Sequence, residues 1–239
     1  MNIEFIKTPY MTSPSMTKNK GEVFTRTPRQ QYLSEKKKEL HTWGESLYGT
    51  TKEAKEKDLV KKLSDFCGFE ETSDIKEVAL QLEEDIAIMS NGKLSSICFC
   101  FPSSWVPTKK LGQDLKSLHQ PVGDGEQLSK ASSKITNVMQ KQKIIRWIWT
   151  ITTNPSLSNY PEYKRPDLRG LESLYLRVET QTTAPLTKES SLFFVRVDVV
   201  PLKEVWSQDI LDSVNSMTED VLVYKNLFKI KELLNSTSV

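Results

Sequence analysis

The 239-residue sequence predicts an α+β fold built on an antiparallel or mixed sheet, and three features carry that expectation. Charged, helix-forming stretches cluster early in the chain, and the hydrophobic period changes after Asn91-Gly92. The stretches that follow are rich in β-branched and aromatic residues and are joined by loops as often as by helices. A doubly wound parallel fold would alternate strand and helix regularly. The helices are expected to gather on one side of the sheet.

Residues 1–28 carry Pro9, Pro14 and Pro28 among Thr, Ser and Lys with no sustained period, which reads as an N-terminal arm laid over the surface or left disordered. Residues 29–239 read as a single α+β domain. Helices are predicted from Arg29 to about Leu47 and from Thr51 to Phe66, both rich in Lys, Glu and apolar residues. Asp74 and Glu77 have capping-box spacing, and Ile75, Val78, Leu82, Ile86 and Met89 continue a helical period as far as Asn91-Gly92. Leu94 to Phe101 then reads as a strand, and Pro102 to Pro107 as a loop that presents Trp105. A short helix carries Leu111, Leu115 and Leu118 and stops at His119; a further helix spans Glu126 to Gln140, with Leu128, Ile135, Val138 and Met139 on its apolar side. Three more strands are predicted at Ile144–Thr153, Leu174–Thr182 and Leu192–Val200, and a last helix from about Thr218 to Leu234.

Thirty-three Lys and Arg against 31 Asp and Glu leave a net charge of +2, too balanced for the one-signed field that nucleic-acid or polybasic membrane binding relies on. Cys67, Cys98 and Cys100 are an odd set, and no leader-like segment opens the sequence, so a reducing, cytoplasmic setting is expected. No window approaches the roughly 18 apolar residues of a membrane span. Two histidines and three cysteines do not build a closed zinc site, and Gly-rich dinucleotide, phosphate-loop and G-x-S-x-G signatures are absent.

Strand alternation places Arg177, Glu179 and Gln181 on one face and Leu176, Val178 and Thr180 on the other, and puts Arg196 beside Asp198. Such a polar row is either a solvated outer face or the lining of a pocket for a charged ligand, which arginine's planar fork suits. Trp147 and Trp149 also share a face, as core or as a stacking surface. The only histidines are His41 and His119, and a lone histidine is more often structural than a ligand.

An ordered series of motifs runs through the middle of the chain: Leu82-Glu83-Glu84-Asp85-Ile86, Cys100-Phe101-Pro102-Ser103-Ser104-Trp105, Lys110-Leu111-Gly112 and Leu118-His119-Gln120-Pro121-Val122. It continues with Arg146-Trp147-Ile148-Trp149, Leu176-Arg177-Val178-Glu179-Thr180-Gln181-Thr182 and Phe193 to Leu202. From about Val78 to Leu202 the sequence resembles the haem-dependent oxidative N-demethylases. It departs from that family at Ile148, in place of an Asn; at Thr180, in place of an Arg; and at Gly123, in place of a second Pro. The resemblance implies a PAS-like core holding haem b, with His119 as the axial iron ligand and Arg146, Arg177 and Arg196 as cofactor-binding residues. It implies Glu179 and Trp149 as the catalytic residues that position a small methylated amine, O₂ as co-substrate, and electrons from a separate reductase. The alternative is a non-catalytic haem or small-molecule-binding sensor or accessory subunit of the same fold.

Overall fold

The computed structural model describes residues 2–12, 15–118, 123 and 126–236, without the side chains of 127–129. His119 therefore lies outside the described residues, as does the side chain of Leu128. Seven strands form one open sheet: β1 (Thr17–Lys18), β2 (Tyr48–Thr50), β3 (Asp85–Ser90), β4 (Lys93–Cys98), β5 (Ile144–Thr152), β6 (Tyr175–Pro185) and β7 (Ser190–Pro201). Their order is β1-β5-β6-β7-β3-β4-β2, and every neighbouring pair is antiparallel. Ten α-helices surround it among the described residues: α1 (Gln30–Trp43), α2 (Lys52–Glu56), α3 (Leu59–Cys67), α4 (Ile75–Ala79), α5 (Leu115–Leu118), α6 (Glu126–Met139), α7 (Leu202–Val205), α8 (Gln208–Asn215), α9 (Glu219–Lys225) and α10 (Phe228–Ser236).

The four predicted strands are present as β4 to β7, and α1 and α6 fall where helices are expected. The predicted helix from Ile75 to Met89 is corrected to a short helix followed by a strand. Asp74 does cap α4 by accepting from Lys76 N, but the helix ends at Ala79, and Ile86 and Met89 belong to β3. All six residues of β3 are buried, so both faces are covered and no alternation marks it as a strand. Asn91 and Gly92, both at positive φ (50° and 74°), make the tight turn between β3 and β4 that an Asn-Gly pair suits. The two other long helices are each broken by a residue in left-handed conformation, Asp58 between α2 and α3 and Asn226 between α9 and α10.

Strand parity sorts the sheet into two faces. Leu176 and Val178 of β6, with Trp149 and Ile151 of β5 opposite them, form a buried cluster with Ile210 and Val214 of α8, Val221 and Leu222 of α9, and Ile230 and Leu234 of α10. Phe194 of β7 shares that face and packs on Phe66 of α3 and on Phe24. Each such aliphatic or aromatic side chain contributes about 1.5–3 kcal/mol on full burial.

Residues 2–12 and 15–28 are tied into this body. Ile6, Val23 and Phe24 are buried, β1 pairs with β5, and Thr182 Oγ1 donates to Val23 O. Three consecutive acids hold the segment and α1 in place. Glu83 accepts from Arg29 N, Nε and Nη2 at 2.6, 2.8 and 2.7 Å, and Glu84 from Thr25 N and Oγ1 at 3.0 and 2.8 Å. The buried Asp85 carboxylate lies 3.8 Å from the buried Lys36 ammonium. Burial alone would raise Glu83, but the Arg29 fork and backbone N–H outweigh it and hold the carboxyl below its ordinary value.

Candidate functional site

The other face of β5 and β6 carries a continuous polar row. The register sets Arg146 opposite Gln181, Ile148 opposite Glu179 and Thr150 opposite Arg177, so these six side chains share one face. Arg146 Nε donates to Gln181 Oε1 at 2.8 Å, and Gln181 Nε2 donates to Glu179 Oε2 at 3.0 Å. Ser103 Oγ donates to Glu179 Oε1 at 2.5 Å, and Arg177 Nε donates to Ser103 Oγ at 3.3 Å.

Arg177 is only 2% exposed, and its fork is consumed by the protein itself. Besides Ser103, its Nη2 donates to Phe101 O at 2.8 Å and its Nη1 to Leu157 O. Burial pushes its pKa down, opposed by the nearby Glu179 and Asp85 carboxylates. It is therefore a clamp that ties the loop after β4 to the loop around Leu157. That loop is also fixed from below, because Asp85 accepts from Cys100 N at 2.9 Å and Phe101 N at 2.8 Å. Burial pushes the Asp85 carboxyl up to about 6, against the pull of Lys36 and these two N–H donors.

Arg146 differs in that its Nη1 and Nη2 have no partner among the described residues. Burial lowers its pKa, while Glu179, Tyr10 and Tyr224 act the other way. Tyr224 and its neighbour Lys225, on α9, thus stand at the β5 end of the row together with Tyr10 of the N-terminal segment. None of these three was a candidate from sequence. Nothing in the pattern near Tyr10 or in the amphipathic stretch of α9 tells that they meet Arg146.

The candidate residues thus divide. Arg146, Arg177 and Glu179 are together on the polar row. Trp149 is 5% exposed on the opposite face, in the apolar cluster with the C-terminal helices and edge-on to Tyr10. Arg196 faces that opposite side too, across from Thr180, and its Nε donates to Asp198 Oδ2 at 3.0 Å. Arg196, which the resemblance implies binds the cofactor together with Arg146 and Arg177, lies on the other face of the sheet from them: neighbouring residues on paired strands point the same way, and Arg196 is paired with an even-numbered residue of β6. The same parity separates Trp149 from Glu179. Gln181 and Ser103 join the site instead, both within motifs legible in the sequence. A groove of about 700 Å³ at the opposite sheet edge, lined by Tyr48, Gly49, Thr50, Lys61 and Leu111 among others, holds none of these residues.

Among the described residues no three His, Cys, Asp or Glu gather as a metal site. A haem needs no such cluster, since the porphyrin supplies four ligands and the protein one or two. Its propionate carboxylates are suited by a cation with free donors, and the open Arg146 fork offers one. Gly123, four positions beyond His119, is packed so closely on α9 that a Cβ would lie 2.7 Å from Asp220 O. This helps explain why a glycine stands there.

An open seven-stranded antiparallel sheet with ten helices among the described residues, and a partly buried, arginine-bearing polar row on one face of β5 and β6, defines an α+β protein equipped to hold a charged ligand against its sheet. The chain belongs to the haem-dependent oxidative N-demethylase, alpha subunit-like family, which it matches over residues 23–235. The match spans more of the chain than the motifs between Val78 and Leu202 do, and it adds α1 and the C-terminal helices that close the core. The family's description carries haem dependence and oxidative N-demethylation. No helix among the described residues is long and apolar enough to cross a membrane.

Proposed function

We propose that this chain binds one haem b, that His119 is the residue that would hold its iron and the polar row the face that would bind its charged groups, and that the chain oxidises a methyl group of a small amine. The observation that carries this reading is the Arg146–Gln181–Glu179–Ser103 row, which sets an open guanidinium and a carboxylate on one face of a chain of this family. When bound, the haem iron supplies the oxidising chemistry: O₂, two electrons and two protons convert an N–CH₃ group to N–CH₂OH and water. The carbinolamine then breaks its C–N bond to give formaldehyde and an amine with one methyl fewer. The electrons come from a separate reductase.

The residues of this chain bind and orient. Each Glu179 oxygen accepts one hydrogen bond from within the protein, leaving a lone pair on each for the N–H of a protonated amine. Ser103 and Gln181 fix the carboxylate plane, and Arg177 holds Ser103 without touching substrate. Trp149, on the far face, supports β5 from behind. Incubating haem-reconstituted protein with dimethylamine and peroxide should release formaldehyde, and Glu179→Gln should raise the amine KM about tenfold or more. A second reading, a haem-binding chain without demethylase activity, is favoured by one feature: apolar Ile148 sits directly across from Glu179, where the family carries Asn. A full haem complement with no formaldehyde from any methylated amine would establish that second reading.

A further inference from the structure

Three segments far apart in sequence converge at the β5 edge of the polar row. Lys225 Nζ donates to Trp149 O at 2.8 Å and lies 5.4 Å from the centre of the Tyr10 ring, which itself meets Trp149 edge-on at 5.9 Å. Tyr10 and Tyr224 interact electrostatically with each other and with Arg146. The cluster is rich in donors and poor in acceptors. Arg146 commits only Nε, to Gln181, and Lys225 commits one of three N–H groups, while the Tyr10 and Tyr224 hydroxyls have no hydrogen-bond partner among the described residues. Among the described residues the carboxylate that acts on both Arg146 and Lys225 is Glu179, which is already engaged by Ser103 and Gln181.

We infer that Arg146, Lys225, Tyr10 and Tyr224 form a carboxylate-binding site, and that its occupant is a propionate of the haem; this rests on the function proposed above. Two cations beside one carboxylate that is already engaged leave an excess of positive charge, which attracts an anion. Arginine and lysine that are partly removed from water gain most from an acceptor that replaces the lost hydration. Burial pushes Lys225 down to about 8, Glu179 opposing and Arg146 adding, which is the state of a cation that lacks its counter-charge. Tyr10 is pushed up to about 12 by burial and by Tyr224, so it remains a donor at neutral pH. Gly123, four positions beyond the expected iron ligand in sequence, is pressed against Asp220 in the first turn of α9, the helix that bears Tyr224 and Lys225.

Free carboxylates have the same chemistry, and the test separates the two sources. The full-length protein is titrated with haem and with haem dimethyl ester, whose propionates are capped, following the Soret band; benzoate is titrated in parallel by calorimetry. The inference expects the ester to bind wild type about tenfold or more weakly than haem. Lys225→Met and Arg146→Gln should each lose most of that ratio, bind the ester as wild type does, and keep the wild-type far-UV circular dichroism. Tyr224→Phe, at a half-exposed position, serves as a milder variant and should lose part of the ratio. An acid-to-ester ratio unchanged in the variants that keep the wild-type spectrum would overturn the inference while leaving haem binding intact. Benzoate binding that is lost in Lys225→Met, alongside an unchanged haem ratio, would assign the site to a free carboxylate and overturn the propionate assignment. Failure of wild type to bind either haem or ester would overturn the function proposed above.

Discussion

Arg177 carries more structure than any other single residue of the site. Replacing it with Met leaves the Phe101 and Leu157 carbonyls and the Ser103 hydroxyl without their donor in a buried place, and should cost about 3 kcal/mol or more in urea unfolding. Arg177→Lys should rescue little, because one ammonium does not span three separated acceptors; full stability in that variant would show that the fork geometry is irrelevant. The Arg29–Glu83 contact sets an acid limb. Glu83 is held below its ordinary value of 4.5 in the folded chain, so the stability it contributes is present above that pH and is lost as the pH falls through the lower folded value. Arg29→Ala should flatten that limb in thermal melts as the pH falls below about 4.5, and an unchanged limb would remove this pair from the account. Lys225 sets a limb of the other sign. Ligand carboxylate binding should be full below about pH 8 and weaken as the pH rises past that value, because the ammonium, with its pKa near 8 in the free protein, then gives up its proton.

At the scale of elements, legibility followed how one-sided each segment is. β5, β6 and β7 were readable because they are long and rich in β-branched and aromatic residues, and the alternation in β6 gave the shared face of Arg177, Glu179 and Gln181 directly. The stretch from Ile75 to Met89 was misread because apolar spacing there fits a helix while β3 is buried on both sides. Within it Glu83, Glu84 and Asp85 are all buried, with partners at Arg29, Thr25 and Lys36 about fifty residues earlier. Pairings of that range leave no local trace. The helix breaks at Asp58 and Asn226 were missed for another reason: neither residue is Gly, and left-handed backbone at a side-chain-bearing residue has no strong signature. Asp58→Gly relieves that strain at some cost in unfolded-chain entropy and should raise stability by about 0.5 kcal/mol in denaturant titration. A clear loss would show that the Asp58 side chain, 3.8 Å from Lys61, matters more than its backbone.

At the scale of the whole molecule, the sheet assembles one site from regions that the sequence presents separately. β5 and β6 supply the row, the loop after β4 supplies Ser103, and α9 with the N-terminal segment closes its end. Which arginines share a face across strands depends on register, and register is set by pairings such as Thr180 with Arg196, which single-strand alternation does not reveal. The N-terminal 28 residues belong to this assembly, so deleting them should expose the Phe194 surface, leave Glu84 without Thr25, and lower the melting temperature by several degrees; an unchanged melt would make the segment dispensable. The central claim, that the chain holds haem through His119 next to the Arg146–Glu179 row, is tested most directly by pyridine haemochrome quantification after reconstitution. The account predicts about one haem per wild-type chain, and less than about a tenth of that in His119→Ala with unchanged far-UV circular dichroism. Wild-type protein that takes up no haem would contradict it.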